Sequence, residues 1–302
     1  MRGARRRRDV TRAFSRFACI DWSGAKGAGQ KGIALAVSDS AGQAPRLVPP
    51  PDRLWSRPAV LDWLLAHAEA GSDMLIGIDF SPSLPFADAG GFFPGWRESP
   101  PDAASLWAMV DRLCGDDPHL GATAFLSHPE AGRHFRHAAD RIGDRFVAGT
   151  GRLRVVERAC REGGHGPAQS GFNLIGAAQV GKSGLTGMRL LHRLAGRVPV
   201  WPFDPVPARG PLIVEIYTTV AARAASRARG RSKIRDAAGL DAALAALGDG
   251  PHTPLPRYDD HMTDALITAA WLRRAAVLPT HWSPEALTPA LARTEGWTFG
   301  IT

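Results

Sequence analysis

The apolar positions fall into runs of two kinds. Residues 17–22 (FACIDW), 32–39 (GIALAVSD), 74–80 (MLIGIDF) and 211–220 (PLIVEIYTTV) are short and nearly continuous in hydrophobicity. Such runs read as strands buried on both faces of a sheet. The turn-rich SGAKGAGQK between the first two makes them a hairpin-like pair. Residues 58–70 instead space their apolar groups helically, with Pro58 near the start and Gly71 just past the end. Residues 260–277 carry the strongest helical pattern, with apolar positions 262, 265, 266, 269 and 272. Weaker helical stretches lie at 103–113, 131–141, 184–196, 221–229 and 236–247. The order predicts one α/β domain over residues 17–302. Its sheet is flanked by helices, and a long irregular insertion spans about 84–173.

Three predicted strands carry an acid where core strands usually have none: Asp21, Asp79 and Glu215. A carboxylate is costly in an apolar run unless a cation or a hydrogen-bonding partner meets it. A shared partner for the set is the expectation. The last helix adds His261 and Asp264 at i and i+3, on one face. Asp259 fits an N-cap, whereas Asp264 lies too far into the helix to cap it. Carboxylates from separate strands and a late helix form a suitable set for Mg²⁺ or Mn²⁺. Two such ions can support phosphodiester cleavage.

Composition and charge narrow this only slightly. The chain has 302 residues and a formal net charge of +8. Residues 1–16 hold seven Arg and one Asp and supply +6 of that charge. They read as a basic disordered tail, a kind of segment that also binds phosphate backbones. The rest of the chain shows no strongly basic stretch. No apolar run approaches the roughly 18 residues of a bilayer span, so no membrane association is expected. The three cysteines form no CxxC pair, which disfavours a disulfide framework or a zinc site. With no secretory signal pattern, a cytoplasmic location is the expectation.

The motifs FACIDWSGAKG, GIDFSPSLP, VWPFD, VEIY, DALITAAW and EGWTFG span residues 17–299. In this order they resemble domain-of-unknown-function family 429, an uncharacterised family of predicted nucleases with an RNase H-like fold. The resemblance implies acids of the site at Asp21, Asp79, Glu215 and Asp264. The segment HMTDALITAA is also similar to the last helix of RuvC-type resolvases, which implies a ligand or proton-transfer role for His261. Two positions depart from the pattern: Thr218 stands where the family has Pro, and His261 where Asp is more usual.

The resulting expectation is a metal-dependent nuclease. Asp21 would bridge two ions, Asp79 and Asp264 would hold one each, and Glu215 would support them. Ser23 and Lys182 are candidates for substrate contact, and nucleic acid is the expected partner. A nucleotide-dependent phosphotransferase on a related fold and a non-catalytic nucleic-acid-binding protein are the alternatives. Gly176 to Ser183 fits GxxxxGK[ST], but the strand and helix a P-loop needs around it are poorly marked. The scattered histidines form no metal pair, and His134 is expected at the surface. Trp22, Trp96, Trp107 and Trp201 are expected mainly in packing.

Overall fold

The computed structural model describes residues 12–176, 180–225 and 233–302. Six strands form one mixed sheet in the order β3-β2-β1-β4-β6-β5. They are β1 (Arg16–Asp21), β2 (Ala34–Asp39), β3 (Arg46–Leu47), β4 (Met74–Asp79), β5 (Val200–Trp201) and β6 (Leu212–Glu215). Strands β1, β2 and β3 pair antiparallel. Strands β1, β4, β6 and β5 run parallel. The C-terminal ends of β1, β4 and β6 therefore share one edge.

Both faces of the sheet are covered, which explains the continuous apolar runs. Side chains alternate along each strand. Ile20, Leu35, Ile76, Ile78 and Ile213 enter one core. It also receives α1 (Arg57–Glu69), α2 (Ala103–Leu113) and α5 (Val180–Arg193). Cys19, Ala36, Leu75, Leu212 and Val214 enter the other core. That face receives α4 (Val155–Glu162), α6 (Thr218–Ala225), α7 (Ala237–Ala246) and α8 (Asp260–Ala275). The short helices α9 (Pro279–Trp282) and α10 (Pro289–Thr294) complete it through Trp282 and Leu291.

The element boundaries differ from the sequence expectation in three places. The fourth apolar run ends as a strand at Glu215, because Thr218 opens a helix. Helix α5 begins at Val180 rather than 184. Residues 131–141 form only a 3-10 turn over Ala131–His134. The tail boundary also moves. Residues 12–16 belong to the domain: Arg12 pairs with Asp73 and donates to the carbonyls of Pro207 and Gly210 at 2.9 and 2.7 Å. Phe14 is buried against Trp282. The remaining arginines of the tail lie outside the described residues.

The insertion contains α2, α4, the short helix α3 (Thr123–Ser127) and two 3-10 turns, joined by irregular segments. Its Phe92, Phe93, Phe125, Phe135 and Phe172 join the same core as Ile20 and Ile76. His134 is buried there, not at the surface, with its ring 5.3 Å from that of Phe93. Irregular buried backbone needs hydrogen-bond partners, and buried arginines supply them. Arg152 donates to the carbonyls of Gly91 and Phe92, and Arg189 to those of Asp117 and Gly121. Glu295 works in the opposite sense, accepting from the backbone N–H groups of Phe86, Ala87 and Val155. No helix among the described residues is long and apolar enough to cross a membrane.

Gly77 lies centrally in β4, where close packing sets the height of the helical layer. An added Cβ would stand 2.7 Å from Ile216 and 2.9 Å from Leu272. Gly77→Ala is expected to destabilise the fold by about 1–3 kcal/mol through overpacking. Gly250→Ala, which meets nothing within 4 Å, is expected to stay within about 0.5 kcal/mol. Urea denaturation of the two variants beside the wild type checks the contrast.

Candidate active site

Asp21 and Asp79 are direct register partners at the last positions of adjacent parallel strands. Both belong to the strand positions that face α8. Helix α8 packs along β1 and β2 and brings its first turns over this edge. Asp259 caps the helix, accepting from the Met262 N–H at 3.0 Å. That cap places His261 and Asp264 above Asp21. The His261 ring bonds Asp21 through Nδ1 at 2.9 Å. Asp79 accepts a 3.0 Å hydrogen bond from Thr218 Oγ1, the side chain that opens α6. Asp21, Asp79, His261 and Asp264 all line one cleft of about 460 Å³.

The electrostatics of this group are those of crowded acids. Burial, and then the charge of Asp21, push Asp79 well above the usual carboxylate range. Burial raises Asp21 too, with the hydrogen bond from His261 opposing it. Asp264 is pushed up to about 6, by burial first and by Asp21 second. His261 is raised by its hydrogen bond to Asp21. Each acid thus resists ionisation because its neighbours are anionic and water is partly excluded.

Glu215 lines the same cleft and adds to the charge that raises Asp79, but it is held differently. Its register partner is Ile78, not Asp79. The pleat therefore turns its side chain to the other face of the sheet. There it meets Arg154, which donates to both its oxygens at 2.9 and 2.5 Å. Thr298 donates to Glu215 as well, at 2.9 Å. Glu215 thus has a protein partner of its own, Arg154, beside the Asp21 and Asp79 pair. Arg154 is almost fully buried and spends all five N–H donors. Besides Glu215 it bonds Glu157 at 3.0 Å, the Ser81 hydroxyl at 3.2 Å and the Glu295 carbonyl at 2.9 Å. Burial works against the Arg154 charge, but Glu215 and Glu157 overcome it and hold its pKa up. No sequence pattern singles out Arg154, which comes from the irregular insertion.

Neither substrate candidate, Ser23 or Lys182, lines this cleft. Ser23 Oγ and the His261 ring stand close together, since a Cβ built on Gly32 would lie 3.2 Å from one and 3.4 Å from the other. Lys182 lies in the first turn of α5 and borders a second, larger groove rather than this cleft. Part of the GxxxxGK[ST] segment, residues 177–179, lies outside the described residues. Asn173, just before it, makes only an isolated bridge with Arg136. Among the described residues, no sheet strand leads into the segment as a P-loop requires.

The donor set suits a hard divalent cation, because carboxylate oxygens that repel one another are what such an ion relieves. Among the described residues, no group of three His, Cys, Asp or Glu side chains is placed to hold a metal ion. Mg²⁺ does not need such a group, since it commonly binds one or two carboxylates and takes its other oxygens from water and substrate. Asp21 and Asp79, in register on adjacent strands, are the carboxylates that could serve such an ion. No family model, curated protein or solved structure matches this chain.

Two outcomes follow for stability. The folded chain holds a proton on Asp264 up to about pH 6, above the ordinary carboxylate range of the unfolded chain. Stability therefore falls as pH rises from about 4 to 6. Asp264→Asn is expected to be more stable than wild type at pH 8 by roughly 2 kcal/mol, with the difference gone below about pH 4. Thermal melts across that range check it. Arg154→Met leaves Glu215 and Glu157 buried without their cation. A loss of about 3–5 kcal/mol is expected by urea denaturation.

Proposed function

We propose that this protein is a divalent-metal-dependent phosphodiesterase, a nuclease with an RNase H-like fold. The observation that carries the reading is the pairing of Asp21 and Asp79. They stand side by side at the C-terminal ends of adjacent parallel strands, beneath Asp264 and His261 of α8. In open α/β sheets this edge is where ligands bind. An antiparallel β3-β2-β1 unit continued by parallel β4 and β6 supports the fold assignment. The motif resemblance to domain-of-unknown-function family 429 points the same way.

Asp21 and Asp79 would hold Mg²⁺ or Mn²⁺, with Asp264 as a further oxygen donor. A bound divalent ion supplies charge neutralisation at phosphoryl oxygens and a water of lowered pKa. The protein's part is positioning and proton movement. His261 Nδ1 donates to Asp21 and fixes the orientation of that carboxylate. Its Nε2 then faces away from Asp21 and is the atom that takes a proton from the attacking water or returns one to the leaving oxygen. Thr218 orients Asp79 by its hydrogen bond. Arg154 ion-pairs with both Glu215 and Glu157 and offsets part of their charge.

Purified full-length protein with Mn²⁺ is expected to cleave labelled single-stranded DNA or RNA. Asp21→Asn is expected to lower the rate at least about 100-fold while retaining the wild-type melting temperature within a few degrees. Equal rates for the two proteins would sink the metal-nuclease reading.

A further inference from the structure

Beside the acidic cleft lies a groove of about 1100 Å³. Its floor is the turn after β1 and the start of α5, and its roof is the insertion between residues 117 and 144. The two depressions share a thin wall. Trp22 and Ser183 line the cleft, while Gly24 and Lys182 line the groove. Gly24 packs so closely on the backbone of Lys182 and Ser183 that a Cβ there would overlap it.

Their charges are opposite. The cleft is lined by Asp21, Asp79, Glu157, Glu215, Asp260 and Asp264 against Arg154 and Lys233. The groove is lined by Lys26, Arg57, Arg133, Arg141 and Lys182 against Asp117 and Asp144. Asp144 is occupied by Arg133 at 2.6 Å, and Asp117 accepts from the Ala124 N–H. Arg57 is the strongest feature. Only 2% exposed, it donates to the carbonyls of His119, Ser23 and Ala25. Among the described residues it has no ion pair with an acid. Burial, and then the nearby Arg189 charge, lower its pKa to about 10. A buried guanidinium without a counter-ion is costly, and an anion in the groove relieves it. Lys26 and Arg141 are exposed at the rim and likewise have no ion pair among the described residues.

The walls are not only basic. Leu126 and the exposed Ile142 line the groove, and the His128 ring is stacked on Trp96 with centroids 4.9 Å apart. Flat and apolar side chains between cations suit unpaired bases on a charged backbone. The volume exceeds the 300–1,000 Å³ typical of a site for one small molecule, which fits several linked units.

We propose that this groove holds the phosphate backbone of single-stranded nucleic acid flanking the segment that lies in the acidic cleft. The identity of the ligand as a nucleic acid rests on the nuclease reading. The insertion is then the upper jaw of the binding site, with Arg57 beneath the strand and Lys26 and Arg141 at its rim.

The test measures binding and cleavage separately with the full chain. Fluorescein-labelled dT15 and rU15 are titrated in EDTA at several salt concentrations and read by anisotropy. Lys26→Glu/Arg141→Glu is expected to weaken binding at least tenfold. It should also reduce the slope of log K against log salt by about 1.4, at 0.7 per lost phosphate contact. Arg112→Glu/Arg209→Glu, two exposed positions outside the groove carrying the same charge change, is expected to stay within twofold. Lys26→Ala/Arg141→Ala is expected to lose about threefold, which guards against an effect of the introduced acids alone. Equal losses in the groove pair and the control pair would overturn the proposal. So would no wild-type binding to either strand, tenfold preference for a duplex of the same length, or binding removed only by deleting residues 1–11. Binding through the groove without Mn²⁺-dependent cleavage would overturn the nuclease reading and leave the groove standing. Cleavage indifferent to the groove variants would do the reverse.

Discussion

Burying carboxylates at the ends of parallel strands is the constraint around which this molecule is arranged. Three adjacent strands, β1, β4 and β6, each end in an acid. The sheet sends two of them to one face and the third to the other. On one side the cost is met within the protein: Arg154 gives two hydrogen bonds to Glu215 and one to Glu157 through its side chain. Among the described residues, no arginine pairs with Asp21 or Asp79. Asp21 has His261, Asp79 has Thr218, and both acids stay raised in pKa. In the proposed function this less compensated pair is the one that would draw a cation.

Arginine also explains how a long irregular insertion attaches to a regular sheet. Its phenylalanines fill the core, but turns and short helices leave carbonyls that neither strand nor helix pairs. Arg57 of α1 and Arg189 of α5 reach those carbonyls, Arg152 does so from within the insertion, and Glu295 collects three backbone N–H groups. The planar guanidinium has several donors in fixed directions, which a lysine cannot reproduce. Arg57 has a second consequence. Having satisfied carbonyls but met no acid, it leaves positive charge beneath the groove.

Acidic cleft and basic groove are therefore two outcomes of one packing arrangement. The thin wall at Gly24 and Lys182 keeps them adjacent. An anionic polymer lying across both would find cations along its backbone and carboxylates at one point, where a divalent ion mediates. This separation of holding from reacting is the physical content of the functional proposal.

The sequence by itself determined the four longer strands, most of the longer helices and the acids at strand ends, because these depend on local periodicity and on residue types that are costly in apolar runs. It placed Asp21, Asp79, His261 and Asp264 as candidates, and the folded chain brings them to one cleft. Thr218 was visible only as a departure from a motif, and its bond to Asp79 needed the fold. The fate of Glu215 needed register: shifting a strand by one residue reverses its faces, and no local pattern records which neighbour stands opposite. Arg154 and Arg57 were hidden for a related reason. Each is one arginine among many, distinguished only by how deeply the distant chain buries it. The basic groove was equally hidden, since its cations lie far apart in sequence between residues 26 and 182. Tertiary structure decided which charges were neutralised and which were left to act, because compensation depends on distance in space rather than along the chain.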